Sequence, residues 1–187
     1  MMDYHISREQ SFLFVIDIQD RMNQSMASPD AVIKNTETLL SAAKAYGIPA
    51  VYTEQYPKGL GSTNPQILSL LQELHAAGEA KTAFNGYVPG IREKLDEFKA
   101  SGRKKAIVTG IEAHICVFQT VRTLLEEGYD VFVPVDAVSS RSESNAQMAL
   151  NMMQTMGAKL TTTESALFDL MGDAQDEHFK ELQARIK

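Results

Sequence analysis

Apolar residues along the chain form short continuous runs that alternate with longer amphipathic segments. The clearest runs are SFLFVID at residues 11–17, IPAVYT at 48–53, AIV at 106–108 and DVFVPV at 130–135. Continuous apolar runs of this length are typical of strands buried on both faces of a parallel sheet. Residues 79–84 and 159–161 are shorter candidates, which brings the number of predicted strands to six.

Helical periodicity separates these strands. Apolar residues three and four positions apart predict helices over residues 31–46, 65–77, 88–100, 145–156, 163–170 and 176–187, and another helix that begins near Cys116. Strands that alternate with helices indicate a parallel sheet covered on both faces. We therefore predict a three-layer α/β/α sandwich with a six-stranded, mostly parallel sheet, formed by residues 1–187 as a single domain.

Composition narrows the classes of function. The net charge of −6 and the pI near 5.2 disfavour nucleic acid as a partner, because no stripe of Lys or Arg offsets the acidic balance. No apolar run approaches the length of a membrane helix, so no membrane partner is expected. The polar first ten residues lack a secretory pattern, and one cysteine cannot form an intrachain disulfide. A cytoplasmic location is expected.

The only cysteine, Cys116, follows the fourth strand and Gly110 and falls in the first turn of a helix. Unpaired backbone N–H groups and the positive end of the helix dipole stabilise a thiolate or an oxyanion there. Ligands also bind at the carboxyl ends of strands in open α/β sheets. Cys116 is therefore either a nucleophile or a small buried apolar residue.

Two charged residues fall near the same predicted edge of the sheet. Asp17 ends the first strand, where it either takes part in chemistry or caps a helix or turn. Lys81 lies in the third strand and faces either outward, as an ordinary strand lysine, or inward, where burial requires a partner. In the loop at residues 54–64, Tyr56 and Lys58 either line a pocket or belong to a solvated segment.

The sequence contains no motif typical of a bound phosphate or metal ion. It has neither GxGxxG nor a Walker sequence, and no HExxH or CxxC pattern accompanies its scattered histidines, His5, His75, His114 and His178. The methionines at 148, 152, 153 and 156 follow one helical region, which favours packing in the core or in an oligomer. We expect no cofactor and no metal.

Three motifs together resemble the isochorismatase-like cysteine hydrolases: DIQ at residues 17–19, KTAF at 81–84 and GIEAHICV at 110–117. The resemblance spans nearly the whole chain. The segments TEQYPKGLGST, DAVSSRS and TTTES are similar to those of isochorismatase domain-containing proteins in particular.

The resemblance implies a role for each motif. It makes Cys116 the nucleophile, Asp17 the base and Lys81 the cation that orients Asp17 and stabilises the thiolate. Cys116 is then expected to react rapidly with iodoacetamide near neutral pH, and Asp17→Asn is expected to slow the reaction. The resemblance also implies a cis peptide bond between Ile111 and Glu112, so that the Glu112 and Cys116 N–H groups form an oxyanion hole.

Further expectations concern the substrate. Gln19, Tyr56, Phe84 and His114 are the candidate residues of the substrate pocket. The resemblance implies hydrolysis of a small amide, imide or ester through a Cys-Lys-Asp triad and a covalent acyl-enzyme, in a homo-oligomer that is a dimer or tetramer. Nicotinamidases of the superfamily bind a metal through an Asp and histidines after the second strand. The segment TEQYPKG has no histidine here, and no metal is expected.

Two other functions remain open. The chain is compatible with a non-catalytic oligomeric interaction protein that retains the pocket. It is also compatible with a redox-sensing thiol, which needs a partner thiol from another molecule because the chain has no second cysteine.

Overall fold

The computed structural model describes residues 3–186, so Met1, Met2 and Lys187 lie outside it. Its strands are β1 (Ser11–Ile16), β2 (Ala50–Gln55), β3 (Ala77–Lys81), β4 (Lys105–Ile111), β5 (Asp130–Pro134), β6 (Val138–Ser139) and β7 (Lys159–Thr161). They form a parallel sheet in the order β3-β2-β1-β4-β5-β7, and the short β6 pairs with the end of β4. The predicted fold class is confirmed, with β6 as an additional short strand.

The helices lie on both faces of this sheet. They are α1 (Asp20–Asn23), α2 (Pro29–Tyr46), α3 (Pro57–Leu60), α4 (Pro65–Glu73), α5 (Pro89–Ala100), α6 (Phe118–Glu126), α7 (Glu143–Thr155), α8 (Thr163–Met171) and α9 (Phe179–Ala184). A π-helical turn, Ala113–Val117, connects β4 to α6. The predicted terminal helix is shorter than expected, and its last predicted residue, Lys187, lies outside the described residues.

Two apolar cores form on the two faces because successive side chains of a strand point in opposite directions. In β1, Phe12 and Phe14 pack on the side of α5, α6 and α7, whereas Leu13 and Val15 pack on the side of α2, α4 and α8. Every residue of β1 is buried. The central strands therefore need apolar residues at every position, which explains the continuous runs in the sequence.

The largest boundary error concerns the helix predicted over residues 65–77, because Ala77 begins β3 and Gly78 lies within that strand. The helix α4 already ends at Glu73, and His75 makes the turn with a φ of +51°. A Cβ atom on Gly78 would lie 2.1 Å from the ring of Tyr52 on the neighbouring strand. Gly78 is thus required for the close approach of an aromatic ring, a reason that helix-ending patterns do not reveal.

Candidate active site

Asp17 directly follows β1, and its side chain is completely buried. Its φ of +52° lies in the left-handed region, which Asp adopts more readily than most residues. The Asp17 N–H still donates to the Thr53 carbonyl at 3.1 Å. Its carboxylate oxygen Oδ1 accepts from the Thr53 hydroxyl at 2.8 Å, and Oδ2 accepts from Lys81 Nζ at 2.6 Å.

Lys81 is the last residue of β3, and its side chain is only 1% exposed. Nζ donates to Asp17 Oδ2 and to Gln55 Oε1, both at 2.6 Å. The carbonyl oxygens of Ala83 and Phe84 lie 3.2 and 3.3 Å from the same nitrogen. The structure therefore resolves the direction of Lys81: it faces inward, where a carboxylate and three other acceptors compensate for the loss of water.

Two glutamines hold this cation in place. The Gln55 side chain accepts from Lys81 and donates to the Thr82 carbonyl at 3.0 Å. Gln19 lies behind it: its Oε1 accepts from the Gln55 backbone N–H at 2.7 Å, and its Nε2 donates to the carbonyls of Gln55 and Gly61. Gln19 is completely buried, and both ends of its amide are used in binding backbone groups. Its position is that of a support for the site.

Cys116 lies in the π-helical turn between β4 and α6 and is 3% exposed. Its thiol lies near enough to the Asp17 carboxylate, the Lys81 ammonium and the backbone of Glu112 for all three to act on its pKa. The structure therefore brings Asp17, Lys81 and Cys116 together in one buried cluster, although they are separated by 64 and 35 positions in the sequence.

Burial raises the pKa of Cys116 to about 12, and the Asp17 carboxylate contributes to the rise through its charge and its hydrogen bond. The Lys81 ammonium and the Glu112 N–H lower the pKa, but they do not outweigh the first two effects. The thiol is therefore protonated at neutral pH. Rapid alkylation near neutral pH stays a prediction, and this raised pKa argues against it, because burial and the charge of the Asp17 carboxylate both disfavour the thiolate.

The segment between β4 and Cys116 has an unusual backbone. The peptide bond between Ile111 and Glu112 is cis, which confirms the prediction for this bond. The Glu112 carboxylate accepts from Arg141 Nε at 3.0 Å and from the Arg141 backbone N–H at 3.3 Å. The loop that follows β6 is thereby attached to the segment that leads into the π-helical turn.

Gly110 brings the ends of β1 and β4 together. It has a φ of +130°, and a Cβ atom built on it would lie 2.0 Å from the Ile16 carbonyl oxygen. Gly110 is also the register partner of Ile16. Only glycine fits this position, both by space and by backbone conformation. The two strand ends that meet here lead to Asp17 and to the turn with Cys116.

The other pocket candidates lie around this cluster. Tyr56 is exposed and borders a groove of about 320 Å³, whose other lining residues are Pro57, Lys58, Ala80, Lys81 and Thr82. Phe84 is also exposed, and its carbonyl contacts Lys81. His114 is partly buried, with Nδ1 2.9 Å from the Ser140 hydroxyl. Their contact with a substrate stays a prediction.

Comparison with known proteins identifies the family. The model of the isochorismatase domain matches residues 11–165, which is most of the chain. The chain belongs to the isochorismatase family. It is 35% identical to isochorismatase domain-containing protein 2 of Xenopus laevis, over 97% of this chain and 85% of the relative. It is 39% identical to the secreted isochorismatase effector Isc1 of Phytophthora sojae, over 95% of this chain and 84% of that protein.

A solved structure of the isochorismatase fold gives the same result. The structure of MAR1 ribonuclease from Caenorhabditis elegans superimposes with a TM-score of 0.88 at 38% sequence identity, and the match covers 97% of this chain and 92% of the other. Membership of the isochorismatase family supports a hydrolase-type function for the chain.

The described part of the chain has neither a cluster of metal ligands nor a membrane-spanning helix. Within residues 3–186, His, Cys, Asp and Glu side chains form no group of three or more that could hold a metal ion. Among the helices of the same residues, none has both the length and the apolar character needed to span a bilayer.

Sequence reasoning missed two residues that contact the cluster and a third that contacts Glu112. Thr53 and Gln55 lie at alternate positions near the carboxyl end of β2, and both side chains contact the Asp17–Lys81 pair. Polar residues at alternate positions next to the strand that ends in Asp17 were a usable signal. Arg141 had no such signal, since only the loop after β6 brings it to Glu112.

Proposed function

We propose that the protein is a cysteine hydrolase that cleaves a small amide, imide or ester through a covalent acyl-enzyme. The observation that carries the proposal is the buried contact among the Cys116 thiol, the Asp17 carboxylate and the Lys81 ammonium. A nucleophile, a base within hydrogen-bond reach and a cation that orients the base are the groups that nucleophilic catalysis requires.

The first half of the reaction follows from the protonated thiol. Asp17 accepts the Cys116 proton while the sulfur bonds to the substrate carbonyl carbon, because a free thiolate is disfavoured at this site. The electron pair of the C=O bond moves to oxygen, which the Glu112 and Cys116 N–H groups stabilise. The oxyanion then reforms the carbonyl, the C–N or C–O bond breaks, and Asp17 gives its proton to the leaving group.

Water completes the cycle. Asp17 accepts a proton from a water molecule while the water oxygen attacks the thioester carbon. The C–S bond of the resulting intermediate then breaks. The sulfur leaves with the proton from Asp17, which restores the thiol and releases a carboxylic acid. Lys81 keeps its hydrogen bond to Asp17 and so holds the carboxylate in place through both half-reactions.

The test is a panel of small amides, imides and esters, followed by intact-protein mass spectrometry for an acyl adduct. We expect turnover and an adduct on Cys116 in the wild-type protein, and neither in Cys116→Ala. Asp130→Asn, at the opposite end of the sheet, is the matched control and should retain the wild-type rate. Equal hydrolysis by the wild type and Cys116→Ala, without an adduct, would contradict the proposal.

A second function, ribonuclease activity, comes from the name of the Caenorhabditis elegans structure. We favour the acyl hydrolase because the net charge is −6 and because the Lys81 ammonium is already surrounded by four protein acceptors. Incubation with RNA distinguishes the two functions. RNA degradation by the wild type at a constant specific activity through purification would exclude a contaminating nuclease. If Cys116→Ala then abolishes that degradation, the ribonuclease function is favoured.

Self-association is also part of the proposal. Met148 and Met152 are exposed along one face of α7, exposed Met156 directly follows the helix, and Glu143 is the only charged residue of this helix. An uncharged apolar face of this kind supports an oligomer or a binding role. Sedimentation of the wild type and of Met152→Glu tests the oligomer, and a monomeric wild type at all concentrations would exclude it.

A further inference from the structure

One hydroxyl group links the turn that carries Cys116 to the loop that follows Lys81. Thr120, in α6, is completely buried. Its Oγ1 lies 2.7 Å from the Cys116 carbonyl oxygen and 2.8 Å from the Gly86 backbone nitrogen. The Gly86 N–H can only donate a hydrogen bond, so the Thr120 hydroxyl accepts from it. The hydroxyl therefore donates its own hydrogen bond to the Cys116 carbonyl oxygen. Both hydrogen-bonding capacities of the hydroxyl are thereby assigned.

The loop between β3 and α5 carries two of the acceptors of Lys81. The Ala83 and Phe84 carbonyl oxygens face Nζ, and Gly86 follows two residues later. An ammonium has three protons, and the short bonds to Asp17 and Gln55 use two of them. The third is shared between the two loop carbonyls. The position of this loop therefore fixes the remaining direction of the cation.

A second threonine holds the same loop from the same helix. Thr123 Oγ1 accepts from the Asn85 side chain at 2.9 Å, and Asn85 Oδ1 in turn accepts from the Tyr87 N–H. The fit at Gly86 is close: a Cβ atom there would lie 3.0 Å from Thr120 Oγ1 and 3.1 Å from the ring of Phe14. The loop is thus pressed against α6 and held there at two points.

We propose that Thr120 is a positioning residue that sets the Lys81 ammonium relative to Asp17 and Cys116. The inference rests on the proposed function, because it assumes that the electrostatic effect of Lys81 on the thiol matters for the reaction. Loss of the hydroxyl leaves the buried Gly86 N–H without an acceptor, so that the loop moves and the third hydrogen bond of Lys81 weakens. Thr123 binds only a side chain and contributes less.

The pH dependence of Cys116 alkylation by iodoacetamide tests the inference without a substrate. Below the thiol pKa the alkylation rate rises about tenfold per pH unit, so the logarithm of this rate plotted against pH is a straight line, called the alkylation line below. A higher thiol pKa shifts the whole line to slower rates. Because Lys81 lowers the pKa of Cys116, we expect Thr120→Val to slow alkylation at each pH by about 3-fold to 10-fold. Thr120→Ser keeps the hydroxyl and should give the wild-type alkylation line. The line of Thr123→Val should lie between those of the wild type and Thr120→Val.

Thermal unfolding of the same variants separates positioning from stability. A folded Thr120→Val protein with a lower Tm and an unchanged alkylation line would overturn the inference, since a purely structural hydroxyl predicts that result. If Thr120→Val does not fold, Gly86→Ala is the second test. Its added Cβ atom would lie 3.0 Å from Thr120 Oγ1 and should displace the loop, which slows alkylation. An unchanged alkylation line would overturn the inference.

Lys81→Met separates this inference from the proposed function. If Lys81→Met slows alkylation and Thr120→Val does not, only the role of Thr120 is wrong. If neither substitution changes the alkylation line, the ammonium does not act on the thiol, and the role of Lys81 in the proposed function fails with it.

Discussion

Buried lysines lie at both ends of the sheet. Lys81 ends β3 at the carboxyl edge, whereas Lys105 and Lys159 begin β4 and β7 at the amino edge. With backbone and side chain counted together, each of the three residues is 5% exposed. Each also donates to one carboxylate: Lys81 to Asp17 at 2.6 Å, Lys105 to Asp3 at 2.7 Å and Lys159 to Asp130 at 2.6 Å. Residue type, burial and pair distance are therefore nearly the same at the two edges.

The carboxylate partners differ. The side chains of Asp3 and Asp130 are 57% and 48% exposed, whereas that of Asp17 is completely buried. Water solvates the carboxylates at the amino edge even without the lysine. At the carboxyl edge each buried charge is stabilised by the other instead of by water. The electric fields of both charges therefore act on the Cys116 thiol with little screening by solvent. Burial of both partners distinguishes the candidate catalytic pair from pairs that only attach chain segments.

The largest expected effect is the contrast between Lys81→Met and Lys105→Met. Removal of Lys81 leaves the buried Asp17 without a counter-charge, which costs about 3–5 kcal/mol of unfolding free energy. Hydrolysis should also be lost, because Asp17 loses the cation that orients it. Lys105→Met leaves Asp3 in contact with water and should have a much smaller effect. Urea unfolding of both variants measures the difference, and equal losses would contradict the comparison.

A double substitution is the control for this contrast. Asp17→Asn combined with Lys81→Met removes both buried charges, so the double variant should be more stable than Lys81→Met alone by about 1–3 kcal/mol. It should remain inactive. Additive losses would mean that the two charges do not depend on each other.

A smaller effect concerns the thiol of Cys116 in Asp17→Asn. The Asp17 carboxylate raises the pKa of Cys116 by its charge and its hydrogen bond, so its replacement should lower that pKa. Alkylation should then be faster than in the wild type at the same pH, even though hydrolysis is slower. Ultraviolet titration of the thiolate provides the measurement. A pKa equal to or above the wild-type value would contradict the expected effect of the Asp17 carboxylate on the thiol.

The smallest effect is expected at the amino edge in acid. The hydrogen bonds from Lys105 and from the His5 N–H hold the pKa of Asp3 below its ordinary value of 3.8. The folded-state pKa is depressed, so the contribution to stability is present above pH 3.8 and disappears as the pH falls through the lower folded-state value. Hydrogen exchange of residues 3–10 should increase over this range. Asp3→Asn should remove the pH dependence, and persistence of that dependence would assign it to another group.

The sequence predicted the fold because its signals are local. Continuous apolar runs marked the central strands, and helical spacing marked the helices that cover them. The motif resemblance also anticipated the cis bond before Glu112. The three charged or nucleophilic residues could be placed at the same sheet edge because the carboxyl ends of parallel strands share that edge.

Other features depend on contacts that no local pattern contains. The direction of Lys81 is decided by Asp17 and Gln55, which lie on other strands. The raised pKa of Cys116 depends on burial, which is a property of the assembled core. The predicted helix over residues 65–77 ran into β3 because the contact of Gly78 with Tyr52 is formed only in the sheet.

Gly110 has a consequence for how such chains can vary. Any larger residue there would meet the Ile16 carbonyl, and relief of that clash would separate β1 from β4. Asp17 follows one of these strands and Cys116 the other, so the separation would move the Asp17 carboxylate away from the thiol. A natural descendant of this chain can lose the proposed activity by replacement of Asp17, Lys81 or Cys116. At Gly110 a single added methyl group is enough to move Asp17 away from Cys116 while both residues remain in the sequence.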